Sequence, residues 1–108
     1  MIAQHKTAEA NAETMLHMVT GGTLYVASLY ICNTAKDAIT VSVAIVPPDY
    51  TSGDGDADYT GCRVLSECPM YPHETQNLSG MELPENTMII VQASAAGVVF
   101  TLTGQMVQ

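Results

Sequence analysis

The clearest periodic signal in the chain is the stretch Ala38 to Pro47, where Ile39, Val41, Val43 and Ile45 alternate with Thr40, Ser42 and Ala44. Alternation with period two puts one set of side chains on one face of an extended chain, so this stretch predicts a strand with one buried face. Pro47-Pro48 ends it, because proline has no backbone N–H for a ladder. Upstream, Thr23 to Asn33 reads TLYVASLYICN, full of β-branched and aromatic residues that suit a pleated surface. Met15 to Val19 is a shorter apolar run, and Gly21-Gly22 supplies a turn that tolerates positive φ. Asn33 to Asp37 is a polar turn.

Downstream, Tyr59 to Glu67 predicts a strand that Pro69 and Pro72 break from the next, Glu74 to Leu83, itself interrupted at Ser79-Gly80. Pro84-Glu85-Asn86 is a turn, Thr87 to Ala93 a strand, Ser94 to Gly97 a tight connection and Val98 to Val107 the last strand. No stretch with helical period is long enough for a stable helix. The pattern predicts an all-β fold: a β-sandwich, jelly-roll-like, of seven to eight antiparallel strands. The expected core is Leu24, Val26, Leu29, Ile31, Val41, Val43, Ile45, Ile89, Val91, Phe100 and Leu102. Several strands are apolar on both sides, as in a sheet covered twice. In a chain without helices, the second cover is expected to be another subunit.

Residues 1–13 are short of large apolar groups and read as an extended N-terminal arm, ordered only when it lies on a neighbouring subunit. Residues 14–108 read as one β-sandwich domain, which suits a chain of 108 residues.

Composition sharpens the functional reading. Charged residues are 13% of the chain, roughly half the usual share for a soluble domain. A free monomer normally covers itself with charge, so this surface is expected to meet other protein. Eleven acids against three bases give a net charge of −8, and Lys6, Lys36 and Arg63 are scattered singly. Nucleic-acid binding needs clustered cations, and an anionic membrane would repel such a chain, so neither is an expected partner. No apolar run approaches the length of a membrane-spanning helix. The stretch Met1 to Lys6 lacks the apolar core of a signal peptide, so synthesis and assembly in a cytoplasm are expected. Cys32, Cys62 and Cys68 are an odd number, read as free, half-buried thiols, with a Cys62–Cys68 bridge as the alternative.

Catalytic chemistry finds little purchase. Asp54, Asp56 and Asp58 alternate in the most polar stretch and make a weak Ca²⁺ candidate, with Asp49 nearby. Counted from Asp54, the sixth and twelfth positions of a calcium-binding loop hold Tyr59 and Leu65 in place of Gly and Glu, so a charged connection between strands is the plainer reading. His5, His17 and His73 are not spaced as metal ligands. There is no nucleophile elbow and no glycine-rich phosphate loop, so no catalytic residue, resident metal or cofactor is expected, and the chain is not read as an enzyme. Sugar-binding platforms on sandwiches use Trp and Tyr; Trp is absent, which leaves a free carbohydrate-binding module as a lesser alternative.

Thr23 to Thr34 with its I-C-N-T ending, Ala38 to Pro47 ending in V-A-I-V-P, and Gln92-Ala93-Ser94-Ala95-Ala96-Gly97 leading into Val98 to Gly104 together resemble small tailed-phage virion proteins. The resemblance spans roughly residues 14–107 and is one of strands and turns. Such proteins often carry a V-P-A-G-K turn, here shortened to Val19-Thr20-Gly21-Gly22, and a late hairpin at Q-A-S-A. The resemblance implies a head decoration (cement) protein, or a head-fibre, tail or baseplate component, with no catalytic residues to carry over. It implies as partners the major capsid protein or other virion proteins, and further copies of the chain itself as a homo-oligomer. A trimer is expected, since closed rings hide sheet edges. The expected contact residues are His5 and Lys6 of the arm, Asp49 and Tyr50 of the acidic stretch, and Tyr71, His73 and Glu74 of the corner that follows Pro69.

Overall fold

The alternating stretches become strands, and their pairing sets the architecture. The computed structural model describes residues 2–11, 13–46 and 63–107. Among these there are eight strands and no helix: β1 (Ala3–Lys6), β2 (Thr14–Met18), β3 (Thr23–Asn33), β4 (Ile39–Val46), β5 (Arg63–Met70), β6 (Thr75–Leu83), β7 (Met88–Ala93) and β8 (Val98–Val107). They form two antiparallel sheets, a first in the order β1-β8-β3-β6 and a second in the order β2-β7-β4-β5. The pairs β1·β8, β2·β7, β3·β6 and β4·β5 make one doubled ribbon, the chain running out along one half and back along the other. Wound on itself, the ribbon lets β8 pair with β3 and β7 with β4 as well. This is jelly-roll winding of a β-sandwich.

Every connection except β4 to β5 passes from one sheet to the other. The connection after Gln92-Ala93 is therefore an arch between sheets, and the hairpin expected there does not form.

The core lies between the sheets and contains the expected Leu24, Leu29, Ile31, Val41, Val43, Ile89, Val91, Phe100 and Leu102. Ile45 is half-buried and packs against it. Val26 is the exception at 70% exposed. Strand β3 gains one residue at this point relative to both neighbours, between Tyr25 and Ser28 against β8 and between Leu24 and Ala27 against β6. Beyond such a bulge the alternation inverts, so Ala27 turns inward and Val26 turns to solvent.

Two further expectations give way for related reasons. Strand β5 continues through Pro69 to Met70, with Pro69 paired to Thr40. As the edge strand of its sheet, β5 has one side on which no ladder donor is needed. Likewise β6 runs unbroken through Ser79-Gly80, absorbing Gly80 at φ 74° as a bulge opposite Ser28.

The expected arm is a strand of the chain's own first sheet. Ala3 to Lys6 pair with Leu102 to Val99, and Ile2 N–H donates to Leu102 O at 2.7 Å. Thr7, almost fully buried, then fastens the segment to the β7–β8 arch. Its backbone N–H donates to Val98 O and its carbonyl accepts from Gly97 N–H. Its hydroxyl donates to Ala95 O at 3.0 Å and accepts from Val98 N–H at 2.9 Å. The chain thus satisfies its own backbone hydrogen bonds here, and no neighbour is needed to order it.

The second sheet is apolar on both faces. Ile45, Val43 and Val41 pair with Ile89, Val91 and Ala93 toward the core, and by register Val46, Ala44 and Ser42 pair with Met88, Ile90 and Gln92 on the outer side. Val46, Met88 and Ile90 form a separate cluster with Met18 and Ala44, and are buried in the single chain. The second cover expected from another subunit is not required for them.

Candidate interaction surface

Asn33 closes β3 and organises the corner at which several expected contact residues lie. It is fully buried. Its Nδ2 lies 3.1 Å from Asp37 O, 3.1 Å from Tyr71 O and 3.4 Å from Met70 O, while Oδ1 accepts from Ala35 N–H at 2.9 Å. Its backbone N–H donates to Glu74 O and its carbonyl accepts from His73 N–H. One amide therefore ties the β3–β4 connection to the β5–β6 connection, with each polar atom satisfied.

The β5–β6 connection is a four-residue turn. Glu74 N–H donates to Tyr71 O at 3.1 Å, and Tyr71 N–H donates back to Glu74 Oε1 at 2.8 Å. Pro72 supplies the fixed φ of the second position, and His73 holds the left-handed third position at φ 63°. Tyr71 is left 75% exposed. His73 is exposed and Glu74 is half-buried by its bond to the turn.

At the same end of the first sheet, a lateral row runs Lys6, Val99, Cys32, Thr75. Lys6 is exposed on the outer face, on edge strand β1, while the Tyr71–Glu74 turn enters the opposite edge strand β6. His5, paired across from Phe100, sits on the core side and is half-buried. The two groups of expected contacts share one end of the molecule and are held two strands apart. Asp49, Tyr50 and the Ca²⁺ candidates Asp54, Asp56 and Asp58 lie outside the described residues. Among the described residues no three His, Cys, Asp or Glu side chains are grouped to hold a metal ion. Cys32 and Cys68 are free, half-buried thiols; Cys62 lies outside the described residues.

The outer face of the first sheet was not singled out by the sequence. Its rows read Gln4, Thr101, Tyr30, Asn77 and then Ser28 beside Thr103, with Tyr25 beside Gln105 at the far end. Tyr25, Val26, Tyr30, Met106 and Val107 are all substantially exposed on this sheet. Val26 is also strained: a β-branched side chain at φ 51° lies in the left-handed region that such residues avoid. The face is nearly free of charge. By register it carries Lys6 at one end and Glu82 at the other, opposite Tyr25 and Val26.

The sheet edges are poor places for association. β1 has only four residues, β2 is irregular between Met15 and His17, β5 carries Pro69 and an irregularity around Glu67, and β6 carries Gly80. Short, bulged or proline-bearing edges do not template strand addition. Such edges leave faces and corners as the surfaces open to contact.

A shallow polar cleft lies where the β1–β2 segment passes the second sheet, lined by Asn11, Thr40, Ser42, Glu67 and Gln92. Glu67, at φ 48°, donates its backbone N–H to Ser42 Oγ, and Gln92 Nε2 donates to Asn11 O. Among the described residues none of its lining is aromatic.

No family model and no curated protein matches the chain. A solved structure similar in chain path is the Anabaena sensory rhodopsin transducer, at 12% identity and a TM-score of 0.47 over 94% of each chain. At that level it bears on neither function nor partners.

Proposed function

We propose that this chain is a structural subunit of a phage particle, a decoration protein that stabilises the head by packing between capsomers, with no catalytic activity of its own. The observation that carries the reading is the set of large side chains left outside a completed core, Tyr25, Tyr30, Tyr71 and Val26 foremost, on a sandwich with few charges. A core that is already closed does not need them, whereas protein interfaces are enriched in aromatic and apolar anchors. Jelly rolls are a recurrent form of capsid domain, which supports the reading at the level of fold. The strand-and-turn resemblance described above supports it independently. The net charge of −8 suits a position outside the shell, away from packaged DNA.

The test is to quantify and locate the chain in purified particles. Copies in the hundreds, placed on the head surface, are the expected result. A few dozen or fewer would make it a tail, baseplate or fibre component of the same fold. Absence from particles sinks the reading. The Asn11–Glu67 cleft favours one second reading, a free module that binds a hydroxyl-rich ligand such as a sugar; a glycan array on purified protein tests it.

A further inference from the structure

We propose that the outer face of the first sheet is a docking surface for a second copy of this chain, packed face to face about a two-fold axis, with Lys6 of each copy meeting Glu82 of the other. The proposal deepens the reading above by naming a partner. It is measured on purified protein, so a dimer without particle binding, or particle binding by a monomer, tells the two apart.

The argument begins with where the charges stand. Lys6 lies on edge strand β1 at the level of Val99, and Glu82 on edge strand β6 near the level of Gln105. Both are exposed, and the rows between them are neutral. They occupy diagonal corners, roughly 20 Å apart along the strands and roughly 14 Å across them. A two-fold axis lying in the interface, perpendicular to the line joining them, exchanges the two positions. An isologous pair then sets both cations against both anions in one arrangement. Tyr30, on β3 between these levels, falls near the axis and meets its counterpart.

Charge also selects the occupant. The other described carboxylates, Glu9, Glu13, Asp37, Glu67, Glu74 and Glu85, lie in connections or on the second sheet. Two copies of a chain with net charge −8 repel through those surfaces, and this face lets them approach without opposing like charges. A basic partner would seek the carboxylates elsewhere on the molecule.

The contact is small. The sheet has four strands, which at about 4.8 Å spacing make a face about 19 Å wide. The axis set by the Lys6–Glu82 diagonal crosses the strands of the two copies at roughly 70°, so a patch of about 19 by 19 Å overlaps and the pair buries roughly 800 Å² in all. That is below the threshold of about 1,000 Å² for a stable interface and is the size of a weak, concentration-dependent contact, for which the charge pairing sets the arrangement. The guarded edges leave the face as the available route.

The experiment is analytical ultracentrifugation of the full chain over a dilution series, with Lys6→Glu and Glu82→Lys made separately. The wild type is expected to dimerise, and each reversal to raise the dissociation constant by about tenfold or more through two like-charge contacts. An equimolar mixture of the two variants is expected to recover the dimer. In the mixed pair the introduced carboxylate of one variant faces the introduced ammonium of the other, and the unaltered Glu82 of the first faces the unaltered Lys6 of the second. General destabilisation cannot produce that recovery, and circular dichroism on each variant checks the fold. Tyr30→Asp, which places a charge near the axis, is expected to leave only monomer. A wild type that stays monomeric at the highest concentration overturns the proposal, as does a mixture that associates no better than its components.

Discussion

A Cβ built on Gly104 would sit 2.8 Å from Cδ1 of Leu24 and 3.2 Å from the carbonyl of Tyr25. Gly104 is the β8 residue opposite Val26 and Ala27, the pair by which β3 bulges. The bulge tips Leu24 into the fully buried core directly against the β8 backbone, and only glycine leaves room. Gly104→Ala is expected to destabilise the fold by about 1–3 kcal/mol, since the added methyl group falls against both the fully buried Leu24 side chain and the Tyr25 carbonyl. Urea unfolding measures it; an unchanged midpoint would show that the two strands are not this close.

Val26 should give the opposite sign. A left-handed conformation costs a residue with a Cβ about 1–2 kcal/mol, and glycine escapes that at an entropy cost of about 0.5–1 kcal/mol. The side chain is 70% exposed, so little burial is lost with it. Val26→Gly is therefore expected to stabilise the chain by roughly 0.5–1 kcal/mol in equilibrium unfolding. A loss of stability would mean that Val26 is not held at positive φ.

Asn33→Leu keeps the volume and removes the amide. It leaves the Ala35 N–H and the Asp37 carbonyl without this partner at a buried junction, and leaves the Tyr71 carbonyl only the Glu74 N–H. The expected loss is about 2–3 kcal/mol, because orphaned buried groups cost more than a made hydrogen bond gains. Hydrogen exchange should show first loss of protection at the β3–β4 and β5–β6 connections.

The N-terminal segment is expected to be part of the folding unit. Thr7→Val, nearly isosteric, strips the buried Val98 N–H of its hydroxyl acceptor and should cost about 1–3 kcal/mol. Deletion of residues 2–7 should cost more, exposing the whole β8 edge that β1 now covers. Thermal unfolding of the two variants ranks them, and a fully stable deletion would show that β1 is dispensable to the sandwich.

The bulge at Val26 explains both what could be read in advance and what could not. Leu24 and Leu29 are an odd number of positions apart, yet both are fully buried. A strict two-residue alternation cannot do that, and an extra residue between them reconciles the two. Which residue it would be depended on Gly104, far along the chain, coming to lie opposite. Lys6 and Glu82 were likewise visible as charges, but nothing in their spacing says that they share a sheet face. Pro69 read as a break because its missing N–H is a local fact, whereas its tolerance depends on β5 being an edge. His5 read as a contact because it lay in the expected arm, and register turned it toward the core side opposite Phe100.

By itself the sequence determined the all-β class, the limits of β3 and β8, most of the core and the scarcity of charge. These follow from local alternation, turn residues and composition, each legible within a few residues. The tertiary structure alone decided the jelly-roll winding, the incorporation of β1, the outward turn of Val26 and the meeting of Tyr30, Lys6 and Glu82 on one face. Strand partners and register are set by the joint packing of segments distant in the chain, and a shift of one residue sends every side chain to the other side of its sheet.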